Sequence, residues 1–311
     1  MNVIPIAFAF DNNLILPACV CISSLLMNAK EDTFYDIYIL HSKREKLNHE
    51  ELDKISYIYS NSRIQYISVG DVFDNAFEIR GITTPTYYRL LIPELIRDYE
   101  KVFYADVDII FRTDLTKLYE MDLTDYYVAA TLDLGMNYID DGINYIKSIS
   151  GLSVGEYIQA GFLLLNVLKL RKDGIVNLFK ELVFKNFKFQ DQDIINVVCR
   201  GKIKIIPWHY NMTTYSFYCL EKEQNILGKD LMKTEDLARY KSNIHYNGQK
   251  PWKDGCVNFD IWWEYYRKSP YFNHSYYFDF FNKMSNAHDY LSLWKRVKIL
   301  IRYFSYGQKR V

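Results

Sequence analysis

Short apolar runs alternate along the chain with longer segments in which apolar positions recur at helical spacing. Residues 4–10 are apolar and end at the polar sequence Asp11-Asn12-Asn13, as a buried strand does when it reaches solvent. The same pattern predicts strands at 36–40, 64–69, 101–105, 127–132 and 161–166, and helices at 14–27, 47–59, 167–184 and 191–199. Strands that alternate with helices indicate βαβ units and a mostly parallel sheet.

The chain shows no internal repeat and no linker rich in Gly, Ser or Pro. We therefore predict a single Rossmann-like α/β domain over residues 1–265, followed by a helical C-terminal extension over residues 266–311. The glycines form neither G-x-G-x-x-G nor G-x-x-x-x-G-K. Dinucleotide-dependent dehydrogenases and P-loop nucleotidases are therefore disfavoured.

Charge is balanced over the chain but unevenly distributed. The 311 residues include 38 Lys and Arg and 38 Asp and Glu, a formal charge of zero that argues against a nucleic-acid partner. Six basic residues and no acidic one follow residue 289, which leaves 32 basic against 38 acidic residues before it. The C-terminal segment is thus +6 and the preceding part −6.

The basic C-terminal segment also carries a helical apolar stripe. Its members are Tyr290, Leu293, Trp294, Val297, Leu300, Ile301 and Phe304. Lys295, Lys298 and Arg302 fall largely on another face. A basic amphipathic helix with Trp and Phe is typical of an interfacial anchor, so we predict peripheral contact of residues 290–311 with an anionic membrane. The alternative is a terminal helix docked on the protein with a solvated basic face.

No apolar run approaches the length of a membrane span, and residues 1–10 lack the basic start of a signal peptide. The five cysteines are scattered and suggest neither a disulfide framework nor a zinc site. We expect a cytoplasmic protein, peripheral at the inner face of the cell membrane.

The strongest local signal for chemistry is an apolar strand that runs into Asp106 and Asp108. Extended backbone would place residues i and i+2 on the same side, where both carboxylates can hold one hard cation such as Mg²⁺ or Mn²⁺. Asp191 and Asp193 form a second D-x-D pair, so the motif alone is weak. The alternative is two solvated acids at a strand end.

Other polar residues indicate a binding site only when they are considered together. His245, Gly248 and Lys250 lie close together in one segment, which can supply an imidazole ligand and a cation for phosphate. Arg89 begins an apolar segment and can clamp a phosphate or form a surface salt bridge. Asp191 opens a helix, where capping is the ordinary explanation.

Taken in order, six blocks resemble glycosyltransferase family 8. They are Phe8-Ala9-Phe10-Asp11-Asn12-Asn13, Thr86-Tyr87-Tyr88-Arg89-Leu90, Tyr104-Ala105-Asp106-Val107-Asp108, Ala160-Gly161-Phe162-Leu163-Leu164-Leu165-Asn166, Gln190-Asp191-Gln192-Asp193, and His245 through Trp252. That family includes lipooligosaccharide galactosyltransferases and glycogenin-like glucosyltransferases. The resemblance implies a GT-A fold and a retaining, metal-dependent enzyme that uses a UDP-sugar donor and a glycan acceptor.

The resemblance also implies roles for particular residues. Asp106, Asp108 and His245 would bind Mn²⁺ or Mg²⁺. Ala9, Asp11 and Asn13 would hold the uridine, with Asp108 also near the ribose. Arg89 and Lys250, on the loop with Gly248, would face the diphosphate and donor sugar. Asp133, Gln159 and Asp191 would contact sugar hydroxyls. Gln192 would lie on the β-face of the anomeric carbon.

Two departures qualify these expectations. The family usually has Asn where this chain has Gln159, so the sugar contact is expected to shift by one methylene. The spacing between His245 and Lys250 is one residue shorter than the family's common spacing.

For retention, Asp191 is the better nucleophile and Gln192 a neutral amide, and we favour same-face attack supported by Gln192. We expect transfer of glucose or galactose to a lipid-linked or cell-surface glycan such as lipopolysaccharide. The alternatives are a protein or soluble acceptor, as in glycogenin-like enzymes, and a non-catalytic nucleotide-sugar or glycan-binding protein.

Overall fold

The computed structural model of the protein describes residues 2–73, 76, 84–217 and 241–305. In the first half of the chain the elements are β1 (Asn2–Ala9), α1 (Ile15–Met27), β2 (Thr33–Ser42), α2 (Glu50–Ile58), β3 (Ser62–Val69), α3 (Ile92–Leu95), β4 (Lys101–Ala105), β5 (Ile109–Ile110), α4 (Thr116–Tyr119), β6 (Val128–Leu132), α5 (Leu134–Tyr138) and α6 (Asp140–Ser148). They are followed by β7 (Ile158–Asn166), α7 (Val167–Lys172), α8 (Ile175–Leu182), α9 (Gln190–Val198), β8 (Ile203–Ile205), β9 (Met212–Thr213), β10 (Ile244–His245), α10 (Phe259–Lys268), α11 (His274–Asp289) and α12 (Leu293–Ser305). Short 3₁₀ helices occupy Asn12–Leu14, Asp71–Phe73, Thr84–Leu91 and Trp208–Tyr210.

The main sheet has the strand order β3-β2-β1-β4-β7-β6-β8. Strand β7 runs antiparallel to β4 and to β6, and the other neighbouring pairs are parallel. The predicted mixed, mostly parallel sheet is confirmed. A second, small sheet has the order β5-β10-β9.

The direction of β7 decides what lies beside the end of β4. Because the two strands are antiparallel, with Ala105 opposite Phe162, the carboxyl end of β4 meets the amino end of β7. Both strands are buried over nearly their whole length, which explains their continuous apolar sequences. Polar residues that follow β4 and polar residues that begin β7 therefore share one edge of the sheet.

The predicted single helix over residues 167–184 is wrong. The segment forms two helices, α7 and α8, separated at Gly174, whose backbone is left-handed with φ of 69°. Glycine adopts this conformation without steric cost, so it ends one helix and starts the next. The apolar periodicity continues across the break and conceals it.

Contacts divide the chain into two units, Met1–Gly248 and Gln249–Val311. The predicted boundary after residue 265 falls inside α10. Within the second unit, Trp262, Trp263 and Tyr266 of α10 are about 1% exposed, and Trp263 contacts Phe280 and Phe281 of α11. This aromatic packing accounts for part of the chain's 17% aromatic content.

Helix α12 confirms that the predicted apolar stripe is helical from residue 293. Its side chains Leu293, Trp294, Leu300, Ile301 and Phe304 are all more than half exposed. Lys309 and Arg310 of the predicted basic segment lie outside the described residues. Within the described part of the chain, no helix combines the length and apolar character needed to cross a membrane.

Candidate metal and donor site

Two carboxylates and one imidazole converge where β4 ends. Asp106 follows β4 directly, and Asp108 lies in the turn that leads into β5. His245 reaches the same place because β10 pairs with β5, opposite Ile109. Its Nε2 lies 3.1 Å from Asp108 Oδ1 and 3.7 Å from Asp106 Oδ2. The extended backbone predicted for the two aspartates is wrong, since a turn brings their carboxylates together.

These three side chains fit a divalent cation. One ligand atom from each lies within 4.8 Å of the others, so a single ion can contact all three. Carboxylate oxygens and an imidazole nitrogen suit Mn²⁺ or Mg²⁺. Asp106 Oδ1 accepts hydrogen bonds from Tyr104 Oη (2.8 Å) and Arg89 Nη2 (2.9 Å). Its Oδ2, on the His245 side, remains available for a ligand bond.

Gly161 makes room for this cluster. The backbone N–H of Asp106 donates to the Gly161 carbonyl over 2.8 Å, so the backbone at the end of β4 is in direct contact with β7. A Cβ at position 161 would lie well under 3.0 Å from both the His245 ring and Asp106 Oδ2. The glycine thus allows β7 to approach the metal ligands.

Arg89 is buried beneath the cluster, with 7% of its side chain exposed. Besides Asp106, it forms an ion pair with Asp191 (Nε to Oδ2, 3.1 Å) and donates to the carbonyls of Thr86 and Ala160. Burial alone would lower the Arg89 pKa. The attraction of the Asp106 and Asp191 carboxylates is stronger than this effect, so the Arg89 pKa is raised. Its donors are engaged within the protein, and its predicted contact with the diphosphate stays a prediction.

Asp191 lies in the first turn of α9 and is 5% exposed. Thr86 Oγ1 donates to its Oδ1 over 2.6 Å, and Arg89 pairs with its Oδ2. Burial raises the Asp191 pKa to about 6, although Arg89 acts in the opposite direction. This carboxylate belongs to the same buried network as the proposed metal ligand Asp106.

Gln192 is held at both ends of its amide. Its Oε1 accepts from the Ala160 N–H (3.1 Å), and its Nε2 donates to Asp133 Oδ2 (3.0 Å). Asp133 is also the N-cap of α5, since its Oδ1 accepts from the Met136 N–H. Burial raises the Asp133 pKa. The structure therefore brings Gln192 and Asp133 together, beside the β7 residues that follow Gln159.

The second D-x-D pair is not a second metal site. Asp193 is completely buried and accepts hydrogen bonds from the hydroxyls of Tyr145 and Tyr157 and from the Phe189 N–H. These contacts hold the start of α9, where Gln190 has a left-handed backbone with φ of 44°. Asp191 faces Arg89 and Asp193 faces the tyrosines, so the two carboxylates do not converge.

A cleft of about 220 Å³ lies at the end of β1. Its lining includes Phe10, Asp11, Asn12, His41 and Tyr88. Ala9 is the last residue of β1, and Asp11 accepts a hydrogen bond from the N–H of Asn13, which is exposed. The uridine roles predicted for Ala9, Asp11 and Asn13 thus concern residues at or beside an existing cleft.

The predicted phosphate-binding loop spans the two units of the chain. Gly248 is the last residue of the first unit and is exposed, whereas Lys250 belongs to the second unit. The phosphate contact of Lys250 stays a prediction.

Three residues of the site escaped the sequence interpretation. Thr86 and Tyr104 donate their hydroxyls to Asp191 and Asp106, and Asn211 Oδ1 lies 2.9 Å from His245 Nδ1. Thr86 and Tyr104 lie inside two of the six family-like blocks, so a role in the site could have been predicted for them. Asn211 lies 34 residues before His245 in no motif, so only the pairing of β9 with β10 reveals it.

Solved structures with this architecture define the class of protein. The chain superposes on the galactosyltransferase LgtC, solved with donor and acceptor sugar analogues, with a TM-score of 0.71 and 26% identity over 88% of this chain and 99% of that one. It also superposes on the glycosyltransferase GlyE of Streptococcus pneumoniae, with a TM-score of 0.62 and 25% identity over 85% of this chain and 60% of that one. The fold is therefore that of a GT-A glycosyltransferase.

Sequence comparison gives the family. The profile described as "Glycosyl transferase family 8" matches residues 5–256. A lipopolysaccharide 1,2-glucosyltransferase of Escherichia coli is 24% identical over 87% of this chain and 77% of its own length. The chain belongs to glycosyltransferase family 8.

Proposed function

We propose that this protein transfers a hexose, glucose or galactose, from a UDP-sugar to a glycan acceptor with retention of anomeric configuration. The observation that carries the proposal is the convergence of Asp106, Asp108 and His245 on one point at the carboxyl end of β4. Open α/β sheets bind ligands at this edge, and the cleft after β1 lies at the same edge because β1 and β4 are parallel neighbours. In this proposal the nucleotide would occupy the cleft, with its diphosphate toward the three ligands.

Breaking the sugar–phosphate bond leaves both bonding electrons on the departing diphosphate, so this reaction needs positive charge there. A divalent cation supplies it as a Lewis acid when bound. Asp106 and Asp108 would hold the cation together with His245, and Arg89 keeps Asp106 in place through its Nη2. The Arg89 charge would add to the positive potential at the diphosphate.

The environment of Gln192 and Asp191 favours same-face attack. Asp191 is paired with Arg89 and hydrogen-bonded by Thr86, which makes it a weak nucleophile. Gln192 is fixed by Asp133 and Ala160, so its dipole is oriented before substrate arrives. In this mechanism the acceptor oxygen bonds to the anomeric carbon on the face that the diphosphate leaves, and the departing phosphate oxygen takes the acceptor proton.

Two observations support a proposal for the acceptor class: the relatives of the chain and its C-terminal segment. A relative is a lipopolysaccharide glucosyltransferase, and we propose a lipid-linked glycan as the acceptor here. Helix α12 exposes Leu293, Trp294 and Phe304 beside the exposed cations Lys295 and Lys298. That combination suits the surface of an anionic membrane, which would keep the enzyme close to its acceptor.

The donor and the cation are tested together by measuring UDP release from a panel of nucleotide sugars. We expect hydrolysis of UDP-glucose or UDP-galactose with Mn²⁺, its loss in excess EDTA, and its recovery when Mn²⁺ is restored. NMR of the transferred product should show an α linkage from the α-configured donor. Full activity in EDTA would contradict the metal role, and a β linkage would contradict retention.

Membrane contact is tested separately by co-sedimentation with vesicles that contain phosphatidylserine. Deletion of residues 290–311 should release the protein from these vesicles while UDP-sugar hydrolysis persists. Unchanged co-sedimentation after the deletion would instead support a terminal helix without a membrane role.

A further inference from the structure

A buried chain of amide groups leads from the backbone of β7 to the His245 ring. Gln159 Oε1 accepts from the Gly161 N–H over 2.7 Å and from Asn211 Nδ2 over 2.8 Å. Asn211 Oδ1 then lies 2.9 Å from His245 Nδ1. Gln159, Asn211 and His245 are 6%, 1% and 1% exposed, so water does not replace these bonds.

The orientation of each group in this chain is determined by the one before it. A backbone N–H can only donate, so the Gln159 atom that faces Gly161 must be the oxygen. That same oxygen can only accept, so Asn211 must turn its NH₂ group toward Gln159. The other polar atom of the Asn211 amide, which lies near His245 Nδ1, is then the carbonyl oxygen. This oxygen accepts a hydrogen bond from His245 Nδ1.

The consequence is a defined tautomer for His245. Nδ1 carries a proton because it faces an acceptor, and a neutral ring therefore leaves Nε2 bare. Nε2 is the atom that lies 3.1 Å from Asp108 Oδ1 and 3.7 Å from Asp106 Oδ2. Without the amide chain, those two carboxylates would draw the proton to Nε2 and block the nitrogen from a cation.

We propose that Gln159 and Asn211 are positioning residues that keep His245 in its metal-binding tautomer. The inference rests on the proposed function, because it assumes that the cation binds at Asp106, Asp108 and His245. It also gives Gln159 a role beyond the sugar contact implied by resemblance. Its oxygen is engaged by Gly161 and Asn211, and it affects the donor site through the metal ligand.

The test measures Mn²⁺ affinity of the full-length protein without nucleotide, from the electron paramagnetic resonance signal of free Mn²⁺. Asn211→Leu removes the acceptor, and we expect it to raise the Mn²⁺ dissociation constant about 10- to 100-fold. Gln159→Met leaves the Asn211 amide with Thr131 Oγ1, 3.3 Å from its Nδ2, and this hydroxyl can pair with either orientation of the amide. We therefore expect a loss of about 10-fold. The matched control is Asn166→Leu, since Asn166 caps α7 and bonds to the Leu123 carbonyl at the opposite end of β7. It should leave Mn²⁺ affinity unchanged.

A double substitution separates this role from a merely structural one. Asn211→Asp presents an acceptor oxygen to Nδ1 in either orientation, so Gln159 is no longer needed to orient it. Its other oxygen would face Gln159 Oε1, so Gln159→Met also removes a contact between two acceptors in this background. We therefore expect Gln159→Met to cost about 10-fold in the wild-type background and less than about 3-fold in the Asn211→Asp background. Equal losses in both backgrounds, or no loss in the wild-type background, would overturn the proposal.

The outcome for the wild-type protein keeps the two proposals distinguishable. If the wild type binds Mn²⁺ and the Gln159→Met and Asn211→Leu variants bind it equally well, the amide chain is overturned and the metal site stands. If the wild type itself does not bind Mn²⁺, the metal site is overturned, and the inference with it. Should Asn211→Leu fail to fold, the Gln159→Met comparison in the two backgrounds still decides the question.

Discussion

The metal and donor site and helix α12 present their characteristic side chains in opposite ways. Arg89, Asp191 and His245 are polar and less than a tenth exposed, and each is bonded to a neighbour in the site. Leu293 and Trp294 of α12 are apolar and about three-quarters exposed. Buried polar groups depend on their partners, whereas exposed apolar groups contribute little to folding. Substitutions in the site should therefore act through several residues, and substitutions on α12 should act on surface binding alone.

The largest effect is expected from Asp106→Ala and Asp108→Ala. Each removes a ligand from the proposed cation, and we expect UDP-sugar turnover to fall by about 10³-fold or more, measured as UDP release. Asp106→Ala should also reduce stability, because it leaves Arg89 buried without one of its two carboxylates.

The matched control for these variants is Asp125→Ala, which removes an exposed acid. It should retain full turnover. If Asp108→Ala kept the full Mn²⁺-supported turnover of the wild type, the assignment of Asp108 as a metal ligand would be contradicted.

A smaller but still large effect is expected from Gly161→Ala. The added Cβ would lie well under 3.0 Å from the His245 ring and Asp106 Oδ2, so both ligands must move. Displacements near 1 Å in a catalytic site cost about 10²-fold, and we expect a loss of that size in turnover together with weaker Mn²⁺ binding.

Gly70→Ala is the control for that variant, because no atom lies within 4 Å of the position its Cβ would take. We expect it to leave turnover and Mn²⁺ binding unchanged. Normal Mn²⁺ affinity in Gly161→Ala would show that β7 does not limit the geometry of the ligands.

The pH dependence of stability tests the burial of Asp191. Its pKa is raised from 3.8 to about 6 in the folded protein, so the folded state binds this proton more tightly than the unfolded state does. The contribution of Asp191 is then most favourable below pH 4 and is lost as pH rises through about 6. This loss of stability amounts to at most roughly 3 kcal/mol. Asp191→Asn should remove it, because an amide does not titrate. The unfolding free energy of the variant should therefore fall less between pH 4 and 6 than that of the wild type.

Urea denaturation at several pH values provides the measurement, with Asp125→Asn as the exposed control. Parallel curves for Asp191→Asn and the wild type would mean that Asp191 titrates normally in the folded protein.

Much of the sheet could be predicted because apolar runs and the polar residues that follow them are local features. The approach of Asp106, Asp108 and His245 was expected from ordered motifs, and the structure places them within reach of one ion. The break at Gly174 was missed because periodicity continues across it. Asn211 was missed because its partner is distant in the chain and is brought near by β9 and β10.

Arg89 shows a further limit of motif-based prediction. Its place in a recognised block indicated a phosphate contact, but the structure surrounds its donors with protein oxygens. Pairing of a buried charge depends on every element that packs around it, and no local pattern encodes that.

The smallest effect on folding is expected from Trp294→Ala on α12. Because Trp294 is 77% exposed, we expect the unfolding free energy of the protein to change by no more than about 0.5 kcal/mol on this substitution. The same substitution should weaken co-sedimentation with phosphatidylserine vesicles, since Trp294 belongs to the exposed apolar stripe. UDP-sugar hydrolysis in solution should not change.

Trp263→Ala is the matched control because it removes the same side chain from a buried position in the same unit. Trp263 is 1% exposed and donates to the Pro251 carbonyl, so we expect a loss of about 3–5 kcal/mol in stability. A comparable loss in Trp294→Ala would place its side chain in a folded interface and favour the docked-helix alternative. Unchanged stability with unchanged vesicle binding would remove Trp294 from the membrane proposal, and the exposed cations Lys295 and Lys298 would then have to carry any remaining attraction.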